Sequence, residues 1–372
     1  MAQAFRTAYK ASACAGPPAM NRREWMLVDW HGRVRRHLSF RSGSQLAEAL
    51  VEGVAHAYHS LGQYPDPTIP DMQTKLQQQE GADLLIDIDQ KPGPPPQGDG
   101  HANLNEAWDA AKDHALRGIE ILEHELDIPP KDLTMSFSGS KGYHLRCSRE
   151  DIRSLDRDGR AELGCYLTGA GLRWELLFPS AEKGTIHVPA SPPDGGVRRR
   201  IHYGLRRIRS LSEPRSRPHA FLALVDHHNT TTGSAAHILD LIHASGNWNE
   251  LLREHAGLHG LLLDVARAIT SPSIDQPVLS DLGRVARLVG SINGKSGLLC
   301  KSIPSPDALA DFDPLEDATP FRKDERTRVI GLKPLRLQSR AGTWQLRPGQ
   351  VQALPSHVAM VFLCSGAARV AH

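Results

Sequence analysis

The sequence lacks several features that would place it in a familiar class of protein. Its five cysteines are scattered over 372 residues without a C-x-x-C pair. This pattern argues against a disulfide framework and against a cysteine-type zinc site, and it indicates a reducing compartment. No run of about 18 apolar residues occurs, so we expect no membrane span. We therefore expect an intracellular, cytoplasmic protein.

Aromatic residues are also few, and the net charge is small. Aromatic side chains make up 5% of the chain, and the formal net charge is only +2. Overall charge therefore does not predict a nucleic-acid partner, and any such signal must come from local clusters. Two dense arginine groups do occur, at 198–200 and at 206–209. For each group alone a solvated face is the simpler interpretation, and contact with nucleic-acid phosphates is the alternative.

The length accommodates two or three domains, or one large core with an insertion. Residues 1–19 show neither the apolar core of a signal peptide nor clear periodicity, so we expect a disordered extension. Residues 211–270 have a mainly helical pattern, which predicts an inserted helical subdomain. Residues 20–210 and 271–372 would then form the main core.

Hydrophobic periodicity predicts the local elements. Alternation predicts strands over 22–28 and 34–40, joined as a hairpin. Helical spacing predicts helices over 45–61, 103–126 and 279–288. These elements place the motifs described next on strand ends and in loops, where functional residues are common.

An acidic stretch at 83–89 alternates apolar and polar side chains, which predicts a short strand. Asp87 and Asp89 then project from one face, with their backbones about 7 Å apart. Like charges there repel each other unless a cation lies between them or one carboxylate is protonated. If this motif is taken alone, two solvated carboxylates on an edge strand are the alternative interpretation.

Two glycine-flanked loops, Ser138–Gly142 and Ser291–Gly297, each carry a lysine and hydroxyl groups. Glycine lets the backbone approach an anion closely, and lysine supplies positive charge, so both loops suit a phosphate chain. Neither loop is a Walker motif, and a plain hairpin turn is the alternative for each one alone. His144 follows the first loop. Taken alone it fits a structural role, and beside a phosphate-type loop it is a candidate contact to a triphosphate or a metal-bound oxygen.

Taken together, these parts are what nucleotidyl transfer requires. In the two-metal scheme, ions about 4 Å apart activate the attacking hydroxyl and stabilise the leaving pyrophosphate. Hard oxygen ligands suit Mg²⁺ or Mn²⁺, and two carboxylates from one strand commonly need a third from elsewhere.

The order of four motifs resembles the small catalytic subunit of archaeal and eukaryotic DNA primases. The motifs are Arg23-Glu24-Trp25, Asp87-x-Asp89, the run Ser138–His144, and Asp275 followed by the run Arg287–Lys295. The resemblance extends from about Met20 to the C-terminus and implies an α+β fold. That fold has a mixed-sheet core of two sheet-and-helix halves around a cleft, with a smaller helical subdomain.

The resemblance also implies the roles of individual residues. Asp87, Asp89 and Asp275 would be catalytic and would bind two Mg²⁺ or Mn²⁺ ions. Contacts to the incoming nucleotide's phosphates would come from Ser138, Ser140, Lys141 and His144. Arg287 and Lys295 would add positive charge to that pocket, and Arg23 would support the nucleotide site from the first hairpin.

The sequence departs from the family pattern in two places. Many members carry a Cys/His zinc knuckle after the D-x-D strand, but residues 93–126 contain no cysteine. The histidines there, His101, His114 and His124, are too few and badly spaced, so we predict no structural zinc. Asn293 occupies the usual histidine position in the late loop and cannot become cationic. Either nucleotide affinity is lower as a result, or Lys295 and Arg287 compensate.

The function implied is template-directed synthesis of short primers on single-stranded DNA for replication. The implied partners are nucleoside triphosphates, the DNA template and a primase large subunit, which in this family carries an iron–sulfur cluster. RNA primers are expected, and deoxynucleotide use stays open. One alternative is a repair or plasmid-type primase-polymerase of the same superfamily. Another is a non-catalytic single-strand-binding subunit, which would need aromatic stacking platforms; the few aromatics are not arrayed with the arginines in the sequence.

Overall fold

The computed structural model describes residues 1–11, 14, 16–89, 102–180, 186–215, 217–229 and 233–371. The predicted loop at 91–100 and His101 lie outside the described residues. The strands are β1 Trp25–Asp29, β2 Val34–Leu38, β3 Val54–Ser60, β4 Leu84–Asp89, β5 Ala102–Asn103, β6 Leu133–Phe137, β7 Gly142–Cys147, β8 Val285–Arg287, β9 Lys301–Ile303, β10 Arg326–Gly331, β11 Leu335–Ser339, β12 Gly342–Leu346, β13 Val351–Pro355 and β14 Ala368–Val370.

Helix α1 precedes the first strand, and the other helices lie between the strands. They are α1 Ala2–Ala11, α2 Gly43–Val51, α3 Met72–Gln77, α4 Leu104–Leu126, α5 Glu150–Arg153, α6 Arg157–Thr168, α7 Trp174–Leu177, α8 Gly196–Leu211, α9 His219–His228, α10 Ala235–Ala244, α11 Trp248–Glu254, α12 Leu258–Thr270, α13 Gln276–Ser280, α14 Pro306–Ala310, α15 Pro314–Asp317 and α16 Ser356–Cys364. The predicted α+β class is confirmed. In the described part of the chain, no helix combines the length and the apolar character needed to cross a membrane.

Two four-stranded antiparallel sheets carry the predicted site residues. Their strand orders are β2-β1-β3-β8 and β4-β7-β6-β9. Strand β4 confirms the predicted acidic strand, because Leu84, Ile86 and Ile88 are buried. Its pairing with β7 sets Asp87 opposite His144. Two three-stranded sheets, β13-β10-β14 and β12-β11-β5, complete the strand pairing.

The helix expected over 45–61 is wrong in its second half. Helix α2 ends at Val51, and Gly53 has a φ of +108°, a conformation that glycine adopts without steric cost. The chain then continues as β3, which pairs with both β1 and β8. Pairing on both sides therefore overrode the helical spacing. The helix expected over 279–288 is likewise replaced by the short α13 followed by β8, whereas α4 confirms the helix expected over 103–126.

The disordered extension expected at residues 1–19 is also wrong where the structure describes it. Helix α1 buries Phe5, Ala8 and Tyr9, which are spaced to share one helix face. The Tyr9 hydroxyl accepts a hydrogen bond of 2.9 Å from the backbone N–H of Ile292. Three buried residues in a ten-residue helix form too short a pattern to be recognised by periodicity alone.

The chain forms two compact units. The first comprises residues 1–119, 128–161 and 274–372, and it holds every sheet described above. The second comprises residues 120–127 and 162–273 and is helical. It is larger than the predicted subdomain at 211–270, because α8 contributes Ile201, Leu205 and Ile208 to its core.

Candidate active site

A cleft of about 760 Å³ in the first unit gathers most of the predicted site residues. Of these residues, the ones that line it are Asp87, Asp89, Ser138, Ser140, Lys141, His144, Arg287, Asn293 and Lys295. The two glycine loops and the acidic strand therefore face one space. Arg23 and Asp275 are not among the lining residues.

The carboxylates of β4 are held in an environment that disfavours their charge. The Asp87 side chain is only 16% exposed, and its Oδ1 has no hydrogen-bond partner among the described residues. Burial, followed by the nearby Asp275 carboxylate, raises the pKa of Asp87 to about 6. Burial and the neighbouring Asp87 also raise the pKa of Asp89. Such a pair gains most from a cation, which would remove both the repulsion and the unmet hydrogen-bonding capacity.

Asp275 lies beside this pair through its backbone. Its N–H donates a 2.9 Å hydrogen bond to the Asp87 carbonyl. Its side-chain Oδ1 caps α13 by accepting a hydrogen bond from the N–H of Val278 at 3.2 Å. As the side chains stand, no three Asp, Glu, His or Cys residues in the described ranges are grouped closely enough to hold a metal ion. The third carboxylate is thus adjacent in the fold, but it is engaged in helix capping.

His144 contributes a neutral ring to the cleft. Burial lowers its pKa to about 4, although the Asp89 carboxylate acts in the opposite direction. Its Nε2 lies 3.4 Å from Asp87 Oδ1. The ring is therefore uncharged at neutral pH and offers one N–H donor and one acceptor.

The first glycine loop is organised by its own serine. The Ser138 hydroxyl accepts hydrogen bonds from the N–H groups of Ser140 and Gly142, both at 3.3 Å. A Cβ on Gly142 would lie 1.8 Å from the Ile88 carbonyl oxygen, so only glycine fits against β4. Ser138 therefore shapes the loop, a role that the sequence did not indicate.

Two carbonyl groups of this loop are occupied by donors from elsewhere. The Trp108 indole N–H donates to the Ser140 carbonyl at 2.7 Å, and the Ser296 hydroxyl donates to the Gly139 carbonyl. The second contact ties the two glycine loops together. Carbonyl oxygens that are already hydrogen-bonded offer less repulsion to an incoming phosphate.

The second loop explains the unusual asparagine. Asn293 is only 2% exposed, and its Oδ1 accepts a 3.0 Å hydrogen bond from the N–H of Lys295. This short-range bond from an asparagine to the backbone two residues on closes a turn and leaves Lys295 exposed at the cleft. At this position the asparagine builds the loop that presents the lysine.

Two further cleft residues, His56 and Tyr58, were missed by the sequence reasoning. Both lie on β3, and the Arg287 guanidinium donates to His56 Nδ1 at 3.2 Å and to the Tyr58 hydroxyl at 3.0 Å. Burial, then the charges of Arg287 and Lys295, lower the pKa of His56 to about 4. The alternation of side chains within 54–60 could have indicated a strand that carries both residues, but the helical spacing over 45–61 predicted a helix there.

The structure does not bring Arg23 to the cleft. Its side chain is 1% exposed and donates to the carbonyls of Ser60 and Leu61, each at 2.9 Å, and to Asp83 Oδ2 at 2.8 Å. The expected support of the nucleotide site by Arg23 is therefore not a direct contact. Arg23 instead joins β1 to the end of β3 and to the segment that enters β4.

Comparisons with known proteins identify the family. Residues 86–304 match the family model for the DNA primase small subunit. Proteins named DNA primase small subunit PriS are similar over nearly their whole length. The one from Methanococcoides burtonii is 30% identical over 98% of this chain and 96% of the relative. The one from Methanothrix thermoacetophila is 29% identical over 98% of this chain and 97% of the relative. The one from Natronomonas pharaonis is 29% identical over 97% of this chain and 95% of the relative. This chain therefore belongs to the DNA primase small subunit family.

Proposed function

We propose that this chain is the catalytic small subunit of a DNA primase. It would synthesise short RNA primers on single-stranded DNA for replication by transferring nucleotides from triphosphates. The observation that carries the proposal is the cleft itself. There the partly desolvated pair Asp87 and Asp89 faces two phosphate-type loops.

The donor set fits a hard divalent cation. Asp87 and Asp89 offer carboxylate oxygens, one of which lacks a hydrogen-bond partner within the described residues. Mg²⁺ and Mn²⁺ prefer such ligands. Asp87 and Asp89 would hold the metal, and Asp275 would join them from the start of α13. The chemistry supplied by bound ions is activation of a 3′-hydroxyl and neutralisation of charge on the pyrophosphate.

The protein's own groups would bind and orient the nucleotide. Lys141, Arg284, Arg287 and Lys295 line the cleft and give it the positive charge that a triphosphate requires. The neutral His144 can donate a hydrogen bond to a phosphate oxygen without adding charge. Asn293 would support Lys295 through the turn it closes. Lys295 and Arg287 would then compensate for the missing cationic histidine, and a lower nucleotide affinity is the alternative.

The expected partners are the primase large subunit and single-stranded DNA, and the expected location is inside the cell with the chromosome. The absence of a structural zinc stays a prediction. A repair or plasmid-type primase-polymerase is the nearest alternative, and efficient filling of gaps with 5′-phosphorylated ends would favour it. Binding of DNA without any metal-dependent incorporation would favour a non-catalytic subunit.

The test is incorporation of labelled nucleotides on a single-stranded template with Mg²⁺ or Mn²⁺, using each nucleotide set, with and without a large subunit. Asp89→Ala and Asp87→Asn should each lower the rate about a thousandfold, because metal stabilisation of transition-state charge is worth several kcal/mol. Asp324→Asn removes an exposed carboxylate and should retain full activity. Full primer synthesis by either cleft variant would refute the assignment.

A further inference from the structure

Helix α8 in the second unit carries an unusual charge pattern. Its sequence contains six arginines and no carboxylate. Arg198, Arg200 and Arg209 each donate to backbone carbonyls of neighbouring segments. Arg200 also lies 3.3 Å from Glu125. Half of the arginines on this helix are therefore accounted for by the fold.

The other three arginines have no structural role of this kind. Arg199, Arg206 and Arg207 are exposed, and none has a hydrogen-bond or ion-pair partner within the residues that the structure describes. Their spacing places them on one face of the helix. Tyr203 lies among them with 65% of its surface exposed. The sequence interpretation that no aromatic residue is arrayed with the arginines is wrong at this face.

A groove of about 350 Å³ runs beside the tyrosine. Its lining residues are Pro192, Pro193, Arg199, His202, Tyr203 and Arg206. His202 is 3% exposed, and its Nε2 lies 2.9 Å from the Pro189 carbonyl oxygen, so the floor is held in place. The groove thus combines apolar proline and tyrosine surfaces with cationic side chains at its rim.

We propose that this face of α8 binds a segment of single-stranded nucleic acid. A base would stack on the Tyr203 ring in the groove, while Arg199, Arg206 and Arg207 would contact the flanking phosphates. Positively charged grooves combined with exposed aromatic rings are the usual means of holding a single strand without sequence preference. A duplex would keep its bases stacked on each other and leave the ring unused. An acidic peptide would satisfy the arginines but has no flat surface for the tyrosine.

This binding requires neither the metal nor the nucleotide of the proposed reaction, so the two proposals can fail separately. The first experiment measures fluorescence anisotropy of a labelled oligothymidylate of about 20 nucleotides with the full chain, in EDTA and over a range of salt. The triple variant Arg199→Gln, Arg206→Gln, Arg207→Gln should bind at least tenfold more weakly. The slope of log K against log salt concentration should become shallower by about 2, the value for three phosphate contacts on a single strand.

A matched control removes the same charge elsewhere. Arg41, Arg328 and Arg347 are exposed residues of the first unit. The triple variant Arg41→Gln, Arg328→Gln, Arg347→Gln should bind nearly as tightly as the wild type. Equal weakening of the two triple variants would show that only net charge matters and would overturn the proposal.

The tyrosine is tested separately. Tyr203→Ala should weaken binding about tenfold, and Tyr203→Phe should restore it, because stacking needs the ring and not the hydroxyl. Photocrosslinking with 5-iodouracil in the oligonucleotide should label the peptide that contains Tyr203. Unchanged affinity of Tyr203→Ala, or crosslinks found only on other peptides, would overturn the assignment. Displacement by polyglutamate as effective as by oligothymidylate would do the same and would indicate an acidic protein partner.

Discussion

Asp83 and Asp87 are four residues apart around the same strand and have opposite surroundings. Asp83 is fully buried; its Oδ2 accepts from Arg23 at 2.8 Å, and Arg153 and Arg146 lie 3.5 and 4.0 Å from its carboxylate. Asp87 is also largely buried, and the only basic side chain within ion-pair distance of it among the described residues is His144. The His144 ring is neutral at pH 7, so it supplies no charge. The protein thus pairs one carboxylate with arginines and leaves the other without a charged ion-pair partner among the described residues.

This difference separates structure from chemistry. The Asp83 cluster uses charge to fix strands, because three arginines lie within 4.0 Å of one buried carboxylate. The Asp87 carboxylate makes the folded state less favourable at neutral pH, and its raised pKa expresses that cost. A site that must accept an external cation and a triphosphate needs charges that the protein itself has not satisfied. Three variants, each with its control, can break or sharpen this comparison.

The largest change in stability should come from Asp83→Asn. The substitution keeps the shape but leaves Arg23 buried without its counter-ion, and removing one partner of a buried pair costs about 3–5 kcal/mol. The free energy of unfolding, measured by urea denaturation, should fall by that amount. Any loss of primer synthesis should follow the fraction unfolded. Asp324→Asn, which breaks an exposed ion pair with Arg322, serves as the control and should leave stability unchanged. A stable but inactive Asp83→Asn protein would place Asp83 in the site rather than in the framework.

Asp87→Asn should raise the free energy of unfolding, the opposite of Asp83→Asn. The folded-state pKa of about 6 lies above the ordinary value of 3.8, so the native state binds more protons than the unfolded state between these values. The contribution of Asp87 to stability therefore falls as pH rises through this window. In EDTA at pH 7 the variant should be more stable than the wild type by about 3 kcal/mol, two pKa units' worth. At pH 4 the difference should vanish. Urea denaturation at both pH values measures it, and a variant less stable than the wild type at pH 7 would contradict this account.

The sequence predicted the parts of the site that depend on short motifs. The alternation in 84–89 gave the acidic strand, and the glycine loops were recognised because their chemistry is local. Their meeting in one cleft followed from the family resemblance and not from periodicity. The family resemblance also grouped Asp275 with the pair, but it did not indicate that its side chain caps a helix.

The predictions that failed concern residues whose contacts are with partners distant in the sequence. Arg23 was expected at the nucleotide, but its burial is set by Asp83, sixty residues away. The strand β3 was hidden because helical spacing continues across Gly53, and only its pairing with β1 and β8 decides the outcome. Local patterns record which faces are apolar, and they do not record which charges meet.

The third variant asks whether a hydrogen-bonded polar group at the cleft also matters. Trp108→Phe keeps an aromatic ring but removes the N–H that holds the Ser140 carbonyl. One hydrogen bond is worth about 1 kcal/mol, so we expect kcat/KM to fall fivefold to tenfold, mainly through a higher KM for the nucleotide.

The matched control for this prediction is Trp174→Phe in the second unit. Trp174 makes an equivalent bond from its indole N–H to the His259 carbonyl, at 2.8 Å. Both variants should lose similar stability, since each leaves one backbone carbonyl without its donor. Only Trp108→Phe should alter steady-state kinetics of nucleotide incorporation, because only its carbonyl belongs to the first glycine loop. Unchanged kinetics in both variants would mean that the loop tolerates the loss of the hydrogen bond to the Ser140 carbonyl. The contrast between satisfied and unsatisfied groups would then be limited to the carboxylates.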